Sequence, residues 1–457
     1  MSSSFLSNTR RVGLLATSAL VALPHIATAQ TVPTGMVNEA QGGGTVSTGS
    51  VQYPSIVISQ PGTPTTARDT SGPNGVNGVG QMIIDQQNGF IGLCTGTLIN
   101  PRTVLFAAHC VNEGDSGFRD PWAYGAKQGG VPIAFGFAAN NNAAGNSAFG
   151  QWLYSAQRYQ TNTANYLYNV NQVLYNPDST KLGFGNNFLE ADVALASLDT
   201  PATNVPTWAV LFSALPAPGT IDTATGTGYH VAEYGYGNNG VGTTGGVGGI
   251  DYRRRAAENY VGLLGSLDDI DSFLFGSPSG LPQNLYQLDF DDPRRGTAAA
   301  SPYDFNVFKD DALPKEGITS SGDSGGPLVL DRTFAKQVII GVLSGGSRYY
   351  NAQTGGSYGT SSFYQPLYLF WDYIAANNPY RYAAAKAGDG KWTDPMHWQT
   401  TLDPAYNILS AGQLVNGVPT TPGDGVNGTS GKFGQICFDT TTISDCYDTA
   451  TGVETVA

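Results

Sequence analysis

Short apolar runs, roughly four to eight residues long and separated by glycine, asparagine and proline, dominate the middle of the chain: GQMIID, CTGTLI, TVLFAA, GVPIAFGF, HVAEYGYG, GPLVL and QVIIGVLSGG. Their brevity and turn punctuation predict antiparallel strands in a sandwich or barrel, not strands alternating with helices. Two stretches depart from this. LYLFWDYIAANN, from Leu367, predicts a helix near the end of the domain, and ENYVGLLGSLDD a second one. The expected class is all-β with a C-terminal helix.

The first 29 residues follow another pattern. Arg10 and Arg11 precede the apolar run VGLLATSALVALPHIA, and Ala27 and Ala29 place small residues before Gln30, as in a secretory signal cleaved after Ala29. A membrane anchor is the alternative, disfavoured by the short run and the small-residue site. Residues 30–76 are rich in Gly, Ser, Thr and Pro with few apolar positions, and are expected to be flexible or extended. The compact domain is expected over residues 77–378. Within it, FAANNNAAGNSAFGQWLYSAQRYQTNTANY reads as a surface insertion. Residues 379–457 turn to a Gly-, Thr- and Asp-rich composition and are expected to form a small turn-rich accessory region, without a clear repeat.

At 457 residues and 40% hydrophobic, the chain is long enough for one large core or two unequal ones. Its formal charge is −13, and loss of Arg10 and Arg11 with the leader takes away two of 22 basic residues, leaving −15. Such acidity repels phosphates and anionic lipids, so neither nucleic acid nor a membrane surface is an expected partner. No later apolar run is long enough to cross a bilayer as a helix. A secreted, periplasmic or cell-surface location is expected. In an oxidising compartment Cys94, Cys110, Cys437 and Cys446 allow three pairings, of which the local one (Cys94 with Cys110, Cys437 with Cys446) is the economical choice; free buried thiols are the alternative.

Only His109, His230 and His397 follow the leader. GDSGGP, residues 322–327, supplies a serine between glycines. A serine hydroxyl needs a base to become a nucleophile, and glycines let backbone amides turn towards a developing oxyanion. The base in turn needs a group that holds its tautomer. FLEADVALASLD offers Asp192, an acid inside an apolar run between Glu190 and Asp199. Buried there, Asp192 wants a cationic or hydrogen-bonding partner, and His109 is the obvious one. Taken singly, each has a plainer reading: Ser324 as a turn residue, His109 as a satisfied core histidine, Asp192 as a capping or turn residue.

AAHC, ADVAL and GDSGGP, in that order, resemble the trypsin-like (chymotrypsin-fold) serine proteases, over roughly residues 77–378. The resemblance implies two antiparallel six-stranded β-barrels and an endopeptidase without cofactor or metal that acts on proteins or peptides. It implies His109 as general base and later acid, Asp192 as its orienting partner, Ser324 as nucleophile, and the amides of Gly322 and Ser324 as oxyanion hole. Cys94–Cys110 would be that family's disulfide beside the histidine. EYGYG, residues 233–237, looks like the strand with a Gly-aromatic-Gly turn, and LSGG, with Ser344, Gly345 and Gly346, like the edge that pairs with a substrate's backbone. Ile318 would fall at the base of the primary pocket, which implies a preference for apolar or small side chains over Arg or Lys.

Departures accompany the match. No Ile-Val-Gly-Gly-like start precedes Cys94, so Asp323, the acid that pairs with a new amino terminus in cleaved family members, is expected either to find another partner or to sit in a site that needs no activation step; the second is favoured. Ser320 stands where many members have cysteine, and Gly345 where tryptophan is common. Other readings carry less. The α/β-hydrolase elbow Gly-x-Ser-x-Gly would need a helix after Ser324, where GGPLVLD stands; His397 would be its base. His230 reads as a strand residue, His397 as an aromatic-packed loop residue, and YRRR, residues 252–255, as a solvated or salt-bridged surface. The histidines and cysteines lack metal-ligand spacing, and YGYGNNGVGTTGGVGG lacks the Lys-Ser/Thr of a phosphate loop. The tail from Ala383 weakly resembles the passenger stalk of bacterial autotransporter proteases; with Trp392, Trp398 and Tyr406 it is a candidate glycan- or partner-binding region. A protease-like binding or adhesin passenger without turnover is the competing class.

Overall fold

The computed structural model describes residues 56–419 apart from 112–123, 126–128, 143–146, 157, 177–189, 216–227, 379 and 381. It also describes the backbone of Val37–Ala40, Gly44–Ser47, Gln435–Cys437, Asp445–Asp448 and Glu454–Val456. The expected leader lies outside the described residues. The backbone sets Cys437 opposite Cys446 in an antiparallel pair, but the side chains of the second expected disulfide also lie outside them.

Six antiparallel strands close into a barrel: Val76–Asp85, Phe90–Asn100, Thr103–Phe106, Ile133–Ala138, Leu167–Tyr175 and Ala194–Leu198. Phe90–Asn100 lies between Val76–Asp85 and Thr103–Phe106, and Ala194–Leu198 joins Thr103–Phe106 to Leu167–Tyr175, which completes the ring. Met82, Leu98, Val104, Phe106, Phe135 and Val173 fill its interior. Two glycines make room for rings there: a Cβ on Gly80 or Gly96 would lie 2.7 Å from Phe137 or Phe135.

A second sheet runs in the order Arg255–Tyr260, His230–Gly235, Pro327–Leu330, Val338–Arg348, Ser361–Pro366, Leu285–Asp289, Leu263–Gly265. It curves as a half-barrel, so the expectation of two closed six-stranded barrels is met once, not twice. No strand pairing joins Arg255–Tyr260 to Leu285–Asp289. Instead the Asn259 carboxamide donates to the carbonyls of Asp289 (2.9 Å) and Gly317 (3.0 Å), and the Gly262 amide to Gln287 (2.9 Å). A closed barrel and a half-barrel side by side are compatible with a chymotrypsin-like fold.

Three α-helices occur among the described residues: Ala148–Tyr154, Leu267–Phe275 and Trp371–Asn377. The last is the helix expected from LYLFWDYIAANN. Within ENYVGLLGSLDD the helix starts only at Leu267, where Ser266 and Asp269 form a capping box, because the preceding residues are drawn into two strands. The expected surface insertion around residue 150 instead buries Ala148, Phe149, Trp152 and Leu153 on one helix face. That i, i+3, i+4 spacing is the amphipathic signal. No described helix is long and apolar enough to cross a membrane.

Two boundaries, and one expected surface, differ from the sequence expectation. Ile56–Ile58, within the segment expected to be flexible, is a fully buried strand between Asn239–Val241 and Gly317–Ile318. At the other end, Tyr406–Ser410 pairs in parallel with Val210–Leu211 and so extends the second sheet, which places residues 403–416 with the body of the fold. Tyr406 is therefore buried against Phe212, whereas Trp392 is 81% exposed, and only part of the proposed aromatic surface is available. Arg254 and Arg255, expected at a surface, are both fully buried. Arg254 donates to Asp69, Ser71, Gly75 and the Phe137 carbonyl, and Arg255 to Asp251 and Pro64, so saturated hydrogen bonding offsets the cost of burying each charge.

The second sheet also buries an acid. Glu233 accepts from the Tyr364 hydroxyl at 2.7 Å, and burial pushes its carboxyl up from 4.5 to about 8. Below pH 4.5 both folded and unfolded chains hold this proton. Between there and about pH 8 only the folded chain does, so its contribution to stability is lost as the pH rises. Glu233→Gln is expected to raise the melting temperature at pH 8 by several degrees and to change it little at pH 5; calorimetry at the two pH values checks this.

Candidate active site

The strand Thr103–Phe106 hands the chain to a tight 3-10 turn, Ala108–Val111, which carries His109. The Cys94–Cys110 disulfide ties that turn to the neighbouring strand Phe90–Asn100. His109 Nδ1 lies 2.6 Å from Asp192 Oδ2, and the His109 backbone amide donates to Asp192 Oδ1 at 2.8 Å. Asp192 has no exposed side-chain surface. A third donor, the Ser344 hydroxyl, reaches Asp192 Oδ2 at 2.6 Å. Three hydrogen bonds thus satisfy the buried carboxylate and hold the imidazole with Nδ1 towards it, which leaves Nε2 as the basic nitrogen of the neutral ring.

The turn that bears Asp192 is itself held. Ala191 has φ +53, a strained value for a residue with a Cβ. Gln283 over-determines it: its side-chain oxygen accepts from the Ala191 amide at 2.6 Å, its own amide donates to Glu190 at 2.7 Å, and its carboxamide nitrogen donates to Gln365 at 2.6 Å. Nothing in the sequence around Gln283 signals this role.

Ser324 sits on a loop shaped by two glycines with left-handed φ, Gly322 (+96) and Gly325 (+81). The loop bridges the two sheets: the Thr95 amide donates to the Ser324 carbonyl at 2.8 Å, and the Gly325 amide to Leu343 at 2.9 Å. The Ser324 carbonyl is also 3.8 Å from Cys110 Sγ, one residue from His109. The Ser324 hydroxyl is fully buried and has no hydrogen-bond partner among the described residues. The amides of Asp323, Gly325 and Gly326 all donate within the fold, whereas those of Gly322 and Ser324 have no acceptor among the described residues.

Asp323 organises this loop from beneath. It accepts from the amides of Gly237 (2.7 Å) and Ser320 (2.9 Å), and burial pushes its carboxyl up to about 7 against the pull of these donors and of Arg255. Close approach requires EYGYG: a Cβ on Gly235 would fall 2.0 Å from Asp323 Oδ1, and one on Gly237 2.4 Å from its amide nitrogen. The third donor is the backbone of Ile56. Of the two expected alternatives, Asp323 thus meets the first: it finds a partner within the fold, the backbone of Ile56, which begins an Ile-Val pair upstream of Cys94. The pair lacks the glycines of that pattern, because Ile58 and Ser59 follow it.

No family model and no curated protein matches this chain. What the site can do rests on its own geometry.

The residues expected to bind substrate divide into two groups. Gly345 and Gly346 lie in the strand Val338–Arg348, opposite Phe363 and Ser362. Ser344, expected on the same edge, turns its hydroxyl to Asp192 instead. Ile318 pairs with Val57 and packs with Phe290 and Tyr358 in a small apolar cluster. His230 begins its strand, between Glu258 (2.7 Å) and Asp331, and His397 packs edge-on to Trp398; neither belongs to the site.

Proposed function

We propose that this chain is an exported serine endopeptidase of the trypsin-like type. The observation that carries the reading is the combination at Ser324: a buried hydroxyl and the amides of Gly322 and Ser324 that find no partner among the described residues, and a histidine on the neighbouring loop whose Nδ1 is clamped by a buried carboxylate. A buried polar group left unpaired is costly, and such groups concentrate where a reaction uses them.

In this reading a peptide carbonyl carbon approaches Ser324 Oγ, and His109 Nε2 takes the hydroxyl proton as the C–O bond forms. The oxyanion accepts from the amides of Gly322 and Ser324. The imidazolium, steadied by Asp192, then passes its proton to the leaving amine as the C–N bond breaks. Water, deprotonated by the same nitrogen, hydrolyses the acyl-enzyme and restores Ser324. No cofactor enters these steps. The resemblance, which puts Ile318 at the base of the primary pocket, implies cleavage after apolar or small residues.

The test is covalent labelling of the mature protein with a fluorophosphonate probe. The wild type is expected to take up one probe at Ser324, and Ser324→Ala none. Absence of labelling in the wild type, with the fold intact, would favour a binding protein on a protease-like scaffold.

A further inference from the structure

Two short strands from the N-terminal segment lie on the edges that flank Ser324. Val37–Ala40 pairs antiparallel with the strand Val338–Arg348: Val37 stands opposite Arg348, Asn38 opposite Ser347, Glu39 opposite Gly346 and Ala40 opposite Gly345. Gly44–Ser47 pairs antiparallel with the start of the strand Phe90–Asn100, Gly44 opposite Leu93 and Ser47 opposite Phe90. The first edge leads into Ser344 and belongs to the second sheet. The second lies two residues before Thr95, whose amide holds the Ser324 carbonyl, and belongs to the barrel.

Only residues 41–43 separate the two strands, so Ala40 and Gly44 stand within about 14 Å of each other even if the link is fully extended. Val37–Ala40 thus lies along the Gly345 edge, directed towards Ser344, and Gly44–Ser47 lies along the Leu93 edge, on either side of the Ser324 loop. An extended peptide bound by strand addition to both edges takes the same course. Gly345 and Gly346 help, because a strand without side chains lets another backbone approach.

We infer that the strands Val37–Ala40 and Gly44–Ser47 act as a built-in peptide that occupies the protease's own substrate-binding edges and lowers its activity until the segment is cut or withdrawn. The inference rests on the protease reading and deepens it: the site takes an extended polypeptide that contacts both sheets. A covalently attached segment competes at an effective concentration in the millimolar range, so even weak strand pairing blocks outside substrates. Cleavage upstream of Ile56 would end that advantage.

Asn38→Pro/Glu39→Pro tests this in the full mature chain. Adjacent residues of an antiparallel strand alternate between pairing and outward-facing amides, so the double variant removes one ladder donor wherever the alternation falls. Asn38→Ala/Glu39→Ala keeps both donors and serves as control. With intact mass showing that residues 37–47 are still attached, the proline variant is expected to react with the fluorophosphonate tenfold faster or more, and the alanine variant at the parent rate. Hydrogen exchange, read in the Ser324→Ala background, is expected to show protection at Gly345–Arg348 and Phe90–Leu93 in the parent and its loss with the prolines. Equal labelling rates with equal exchange would overturn the inference and leave the protease reading standing. If nothing labels, the protease reading fails, and with it the inference; the exchange data then report only whether the segment lies on the edges.

Discussion

Ser324→Ala is expected to lower casein hydrolysis by ~10⁴-fold or more while the protein stays folded. The hydroxyl bonds to nothing among the described residues, so its removal breaks no hydrogen bond to them. The loop around it is held by backbone atoms and by Asp323, none of which the substitution touches. Stability and activity should therefore separate: the melting temperature stays within a degree or two of the parent as the rate collapses. Residual hydrolysis would come from the Gly322 and Ser324 amides and from substrate positioning, which survive in the variant. A variant that melts normally and still cleaves casein at the parent rate would remove Ser324 from the chemistry.

Asp192→Asn is expected to cost about 10⁴ in kcat. The carboxylate accepts from the His109 ring, the His109 amide and the Ser344 hydroxyl. An asparagine has one accepting oxygen. If that oxygen keeps the His109 backbone amide, its NH2 group faces Nδ1 and favours the tautomer with the proton on Nε2, which cannot act as base towards Ser324. Orientation fails while the substrate edges remain, so kcat falls and KM changes little. A drop in KM-linked binding with kcat preserved would instead make Asp192 a structural acid. Fluorophosphonate labelling, which needs the same activated hydroxyl, should slow in parallel.

Much of the candidate site was legible in the chain. An acid inside ADVALASL, a histidine at the end of TVLFAA and a serine among glycines each stand out locally, since a polar group in an apolar run must find a partner. The structure brings Asp192 against His109 across 83 positions and sets Ser324 beside the same turn. Ser344 was legible only as part of a glycine-rich edge. Its hydroxyl meets Asp192 across 152 positions, and no spacing rule reaches that far. Gln283 left no trace at all, because a buried amide that steadies a strained turn looks like any other polar residue in a loop. Arg254 and Arg255 misled for a related reason: a run of charges reads as surface unless its partners, here Asp69, Asp251 and several carbonyls, are known to converge on it.

The sequence by itself determined the strand-rich class, the order of His109, Asp192 and Ser324, and the local cystine. The class follows from a simple alternation of apolar and polar side chains, each motif is a few adjacent residues, and the order of the three motifs carries the resemblance. Only the tertiary structure decided that the second sheet stays open at Asn259, that the Ile56 backbone reaches Asp323, and that Val37–Ala40 and Gly44–Ser47 pair with the edges beside Ser324. Strand edges offer the same backbone donors and acceptors to any extended segment. Which segment fills them is settled by which parts of the chain the folded core leaves within reach.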